Sequence, residues 1–280
     1  MKNMRLIALC LLAVWMGACK KERNGDPAKP LVNGIEIGSG NEKKAYIGKD
    51  FHFEADVTAA TRIAATGISI TQKPGTPYTA SWKLELEWPE FKGAKNTTVH
   101  KHFSIPTTAP AGVYNFAFFV RDENGSETLV TADLSITDPA DLAVQPEINL
   151  VRGPAADQLF RTGEPIGLEL QISGLQDDGS FLALLISETA NHYPETVGQA
   201  DLAKSIVLSD VSHARLPKNA VLPVSATLVT GAGTDNKRPA GNPLTGARAW
   251  QNGRYSLVLL YHNTTHGVHA YKSVPIRIAL

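Results

Sequence analysis

The chain has 280 residues, 27 Lys and Arg balanced by 27 Asp and Glu, and two cysteines. Charge neutrality gives no electrostatic footing on a nucleic-acid backbone. The length leaves room for two domains of ordinary size, each able to stabilise itself by burial.

The first element is a leader. Lys2 and Arg5 precede an apolar run, Leu6 to Trp15. That run is about half of the roughly 20 residues needed to cross a bilayer, which makes it a signal-peptide core and not a span. "Met-Gly-Ala-Cys" (Met16 to Cys19) closes it and is similar to the lipobox of bacterial lipoproteins, with Met16 where Leu is usual. Residues 1–18 are therefore expected to be removed and Cys19 to be acylated. An ordinary secretory signal with an incidental cysteine is the competing reading. Cleavage removes Cys10, so no disulfide is expected and stability must come from core burial. Several acyl chains on Cys19 suffice for stable membrane anchoring, and Lys20 after it favours the outer membrane by resemblance to Gram-negative sorting rules. Residues 19–30, with "KKERNGDPAKP", read as a flexible tether.

From Leu31 the chain turns to short alternating runs. "DFHFEADVTA" places Phe51, Phe53, Ala55 and Val57 on one face, His52, Glu54 and Asp56 on the other. "ATGISIT", "SWKLELEW", "TVHKHFSI", "VYNFAFFV" and "ETLVTADLSI" follow, divided by Gly, Pro, Asn and Asp. This spacing predicts an antiparallel sandwich over 31–138, with Asn124-Gly125 turning its last hairpin. Pro139 and Pro146 bracket a connection, and 147–280 read as a second sandwich. "GKDFHFEADVTA" from Gly48 matches "GEPIGLELQISG" from Gly163 in apolar pattern, and a Gly-x-Tyr opens the penultimate strand of each half. The fold expected is all-β: two tandem immunoglobulin-like sandwiches, with Tyr114 and Tyr255 at tyrosine-corner positions. "ADLAKSIVLS" (Ala200 to Ser209) reads as strand or short helix, and the Gly- and Pro-rich stretch after Gly231 as a long loop that Trp250 could pin.

Three stretches resemble a known family: Gly38 to His52, Gly93 to Pro106, and "AGVYNF" through "VRDENG". The family is the domain of unknown function numbered 4625, found in lipoproteins of Gram-negative bacteria, and the resemblance covers about residues 31–137. It implies no activity. Relatives keep His at the positions of His52 and His100, and often at the position that Asn115 fills here.

The histidines carry the chemical proposal. His100 and His102 share a face, opposite Phe103 and Ile105, and in an immunoglobulin-like sheet their strand neighbours that of His52. All three, with Glu54, are expected on one exposed sheet face, roughly 5–7 Å apart. Imidazoles so placed can converge on zinc or copper, with Glu54 available as a fourth ligand. A solvated polar face is the bland alternative. A weaker cluster, His262, His266 and His269, lies on the last hairpin. No residue is singled out as catalytic: "Gly-Ser-Gly" at Gly38 lacks the strand–Ser–helix setting of a hydrolase elbow, "Gly-Ala-Gly-Thr" at Gly231 lacks a following helix, and "Asp-Glu-Asn-Gly" at Asp122 lacks the closing Glu of a calcium loop. The reading is a non-enzymatic, lipid-anchored protein of the outer membrane that binds a ligand or an envelope partner, the first domain through its histidine face and the second through its loops. Metal capture for an uptake receptor is one alternative and a structural spacer the other.

Overall fold

The computed structural model describes residues 27–280. The leader, Cys19 and most of the tether lie outside the described residues. The first sandwich is built from β1 (Leu31–Ile37), β2 (Lys44–Tyr46), β3 (Asp50–Thr58), β4 (Ile63–Gln72), β5 (Lys83–Glu87), β6 (Asn96–Ser104), β7 (Gly112–Asp122) and β8 (Glu127–Thr137). One sheet runs β1-β3-β6 and the other β2-β8-β7-β4-β5. Alternation in β3 and β7 puts Phe51, Phe53, Phe116 and Phe118 between the sheets, where the Phe53 and Phe118 rings stand 4.7 Å apart. Burial of such rings is the main favourable contribution to folding. β2 is the strand that alternation did not signal, being only three residues long.

The second domain contains β9 (Glu147–Arg152), β10 (Gln158–Arg161), β11 (Pro165–Ser187), β12 (Ile206–Val229), β13 (Gly253–Asn263) and β14 (Val268–Ala279). Its six strands are linked in one sheet, in the order β10-β14-β13-β11-β12 with β9 on β11, and the pairing of the long strands β11 and β12 is interrupted by register shifts between Ile172 and Gly179. Such irregularities let a strand bend from one layer into the next. Its core, from Ile148 to Ile278, shares no buried residue with that of the first domain. Both tyrosine corners form: the Tyr114 hydroxyl donates to Pro110 O at 2.7 Å, and the Tyr255 hydroxyl accepts from Gln251 N at 2.9 Å.

Ala200 to Ser209 resolves into a turn and, from Ile206, the start of β12. The long loop is pinned as expected by Trp250, which donates to Ala232 O at 3.0 Å. Buried Asp235 helps too, accepting from the backbone N–H groups of Lys237 and Asn242. Among the described residues, helix is limited to three-residue 3-10 turns, and none is long and apolar enough to cross a membrane.

A second, smaller apolar cluster positions the site. Leu182, Leu184, Ile186, Val207, Val258 and Leu260 form the outer face of the second domain's central strands. Ala190, Val197, Ala200 and Leu202 pack onto it. The segment 188–205 is thus held to its own domain while its far side faces the first.

Candidate metal centre

β3 and β6 pair antiparallel, with His52 directly opposite His102 and Glu54 directly opposite His100. Strand parity therefore brings the three imidazoles together: ring centroids lie 5.1 Å apart for His52 and His100, and 5.3 Å for His52 and His102. Asn115 lies on β7, in the other sheet. One expectation fails. The histidine face is only partly open to solvent, because the second domain lies over it: His52 is 3% exposed, while His100 and His102 are half-buried. Alternation dictates that His52 points away from its own core, but not what lies on that side.

What covers it is Glu195, itself 2% exposed and carried on the 188–205 segment. Its Oε1 lies 2.6 Å from His52 Nδ1 and 2.8 Å from His102 Nε2. Distance alone would make the first contact a hydrogen bond, but the angles do not: His52 Nδ1 and Glu195 Oε1 are both buried without an aligned partner. Buried polar atoms left in this state are rare and call for an explanation. The other carboxylate oxygen is settled, since Oε2 accepts from the Ser39 hydroxyl at 3.0 Å. Ser39 follows Gly38, whose backbone sits at φ 73°, ψ 159°. Only glycine adopts that conformation readily, and a Cβ there would meet Lys44 O at 2.8 Å.

Two of the histidines have a carboxylate behind them at hydrogen-bond distance, and His52 has one farther off. His100 Nδ1 lies 3.0 Å from Glu54 Oε2, His102 Nδ1 lies 2.5 Å from Asp50 Oδ2, and His52 Nε2 lies 3.7 Å from Glu36 Oε1. Glu36 is held in turn by Gln199, whose amide donates to both its oxygens at 2.7 Å. Glu54 therefore stands behind His100, and Glu195 takes the fourth place that the sequence suggested for Glu54. Carboxylates so placed fix the tautomer and orientation of metal-binding imidazoles.

With Nδ1 of His100 and of His102 turned to carboxylates, their Nε2 atoms face each other at 3.3 Å. At that distance the two nitrogens either share a proton in a hydrogen bond or could share an ion. Ligands about 2.0–2.1 Å from a tetrahedral zinc stand about 3.3 Å apart, so this edge fits one, whereas the Glu195 edges, at 2.6 and 2.8 Å, would have to open. Without an ion a proton takes that place: Asp50 first, then Glu195, raise the His102 pKa to about 10. Burial pushes the Glu195 carboxyl up, but His102 and His52 outweigh it and bring it down to about 2. The centre is thus a histidine-rich cluster flanked by carboxylates, and any metal bound there would compete with the proton on His102.

His52, His100, His102 and Glu195 each offer one atom, and the four lie within 4.8 Å of one another. They form the one such group among the described residues. Tyr193 meets the His100 ring edge-on at 5.6 Å, and Tyr271 stacks on His102 at 5.9 Å. Beside them a cleft of about 480 Å³ opens between the domains, lined by His52 and Glu195, by Phe51 and Tyr46, and by Ile148 and Val268 across from them.

The second histidine cluster does not converge. His262 and His269 stack at 4.3 Å, but His266 turns away to Asp177 at 3.0 Å. His269 Nε2 instead reaches Glu42 of the first domain at 3.1 Å. Sequence reasoning missed Glu195 altogether. "NHYPETVGQ" has no periodicity, and no local signal ties it to a strand so far away in the chain.

No curated protein matches the chain. Among solved structures, it is similar to dimeric latent PorU from Porphyromonas gingivalis, at 11% identity and TM-score 0.34 over 93% of this chain; it spans 21% of the PorU chain. It is also similar to the N-terminal Ig1-2 module of the Drosophila receptor protein tyrosine phosphatase DLAR, at 12% identity and TM-score 0.35, covering 90% of this chain and 100% of that one. The ICAM-5 D1-D4 ectodomain fragment gives 13% identity and TM-score 0.26, with 88% and 53% covered. Residues 17–137 match the model of a family described as a domain of unknown function, DUF4625, and this stretch takes in the first sandwich, which supplies three of the four converging side chains.

Proposed function

We propose that the protein binds a divalent transition-metal ion, zinc first, between its two sandwiches, and that it acts as a non-catalytic binding protein of the cell envelope. One observation carries the reading: three imidazoles and a buried carboxylate present their ligand atoms within 4.8 Å, with His100 and His102 each backed by a carboxylate at hydrogen-bond distance. Imidazole and carboxylate donors suit zinc, and imidazole-rich sites take copper as well. Four protein ligands fill a tetrahedron, which favours holding an ion over activating a substrate on it. Envelope attachment rests on the sequence from Met16 to Cys19, with Cys19 carrying the lipid at the outer membrane. An uptake receptor is the partner that such a capture protein would serve.

Calorimetric titration with zinc and with copper tests the reading. One ion per chain is expected, and His100→Ala with His102→Ala should abolish binding. A double variant that binds as well as the parent would overturn the assignment. Mass spectrometry of the Cys19 peptide tests the anchor; an unmodified Cys19 in membrane-derived protein would refute it.

A further inference from the structure

The following rests on metal binding as proposed above. We infer that the ion is a latch between the two sandwiches, tying the 188–205 segment to β3 and β6, and that the interdomain cleft keeps its shape only while the ion is bound. The ligand set is split: His52, His100 and His102 come from the first domain and Glu195 from the second. A bound ion would therefore tie the second domain to three first-domain imidazoles through its one bond to Glu195.

The rest of the joint is thin and crowds around the same point. The two cores are separate. Polar contacts across the boundary include Ser39 to Glu195, Glu36 to Gln199 and Glu42 to His269, all close to the centre or on the cleft wall beside it. Gly40 approaches Thr196 so closely that a Cβ would meet its methyl at 3.4 Å.

The latch has leverage because its two sides are rigid. β3 and β6 belong to a sheet, and the 188–205 segment is packed onto the outer face of the second domain through Ala190, Val197, Ala200 and Leu202. Moving Glu195 therefore means moving the domain. Without an ion, closure leaves His52 Nδ1 and Glu195 Oε1 without aligned hydrogen bonds, held only by the close charge contacts of Glu195 with His52 and His102. Opening returns them to water and removes that cost. With an ion, those same atoms become ligands and closure is favoured. Differential affinity of this kind is what a ligand needs to shift a conformational equilibrium. The cleft has walls from both domains, so it would follow the same equilibrium.

Hydrogen exchange by mass spectrometry on the full chain in detergent tests this, comparing excess zinc with a chelator. Zinc should slow exchange at least tenfold across residues 191–202. Glu195→Gln should abolish that protection while the three imidazoles still bind zinc, more weakly, by titration. If zinc binds the parent and leaves exchange over 191–202 unchanged, the latch is wrong and metal binding stands. Protection that persists in Glu195→Gln also overturns it. If zinc does not bind the parent at all, the latch falls together with the metal reading.

Discussion

Two cross-strand histidine pairs sit at the boundary between the sandwiches. His52 opposite His102 joins β3 to β6, and His262 opposite His269 joins β13 to β14. Residue type and pairing are the same, yet only the first pair becomes part of a centre. His262 and His269 lie face to face with 16° between their planes, which sends their nitrogens in parallel directions. The His52 and His102 rings are tilted by 58°, and His100 stands nearly perpendicular to His52 at 84°. Tilted rings can aim nitrogens at one point; stacked rings cannot. Supply of carboxylate separates the pairs as well. His100 and His102 each have their own carboxylate within hydrogen-bond distance, whereas no carboxylate pairs with His262, and burial followed by the neighbouring His269 lowers its pKa.

The sharpest way to break this comparison is to remove the converging groups. Losing His100 and His102 together should take zinc binding below detection by calorimetry, whereas His262→Ala with His269→Ala should leave affinity within about twofold, since stacked rings share no ion. Equal losses from the two double variants would erase the distinction. Next in size, Glu195→Ala should weaken zinc binding by roughly 10–100-fold, by analogy with supporting groups at metal sites. Glu54→Gln, which keeps size but removes the charge behind His100, should cost about tenfold on the same reasoning. An unchanged dissociation constant would make Glu54 a bystander.

The smallest effect is expected far from the centre. Asp122 is enclosed at the β7–β8 hairpin; burial pushes its carboxyl up, but Thr61 and nearby backbone N–H groups hold it at about 2. A carboxyl depressed in the folded state contributes stability that is present above its unfolded value and lost as pH falls. Chemical denaturation from pH 5 to pH 2 should show the parent losing stability across that window. Asp122→Asn should be less stable at pH 5 and should show a shallower decline.

How much of this was legible follows from the range of each signal. Parity in "DFHFEADV" and "TVHKHFSI" acts over two residues, and it placed three imidazoles on one face correctly. The paired Gly-x-Tyr motifs likewise located both tyrosine corners. Glu195 was illegible because its partners are brought to it by domain docking, not by local pattern. The same docking buries His52, which parity alone would have left in solvent. The full extent of β11 and β12 has no continuous signal in the sequence, because register shifts interrupt their pairing.

X-ray absorption at the zinc edge of the metal-loaded protein tests the central claim most directly. Three imidazole nitrogens and one carboxylate oxygen at about 2.0–2.1 Å are expected, with an imidazole scattering signature that weakens when His52 is replaced. A shell of six oxygens without that signature would contradict an interdomain His52, His100, His102 and Glu195 centre.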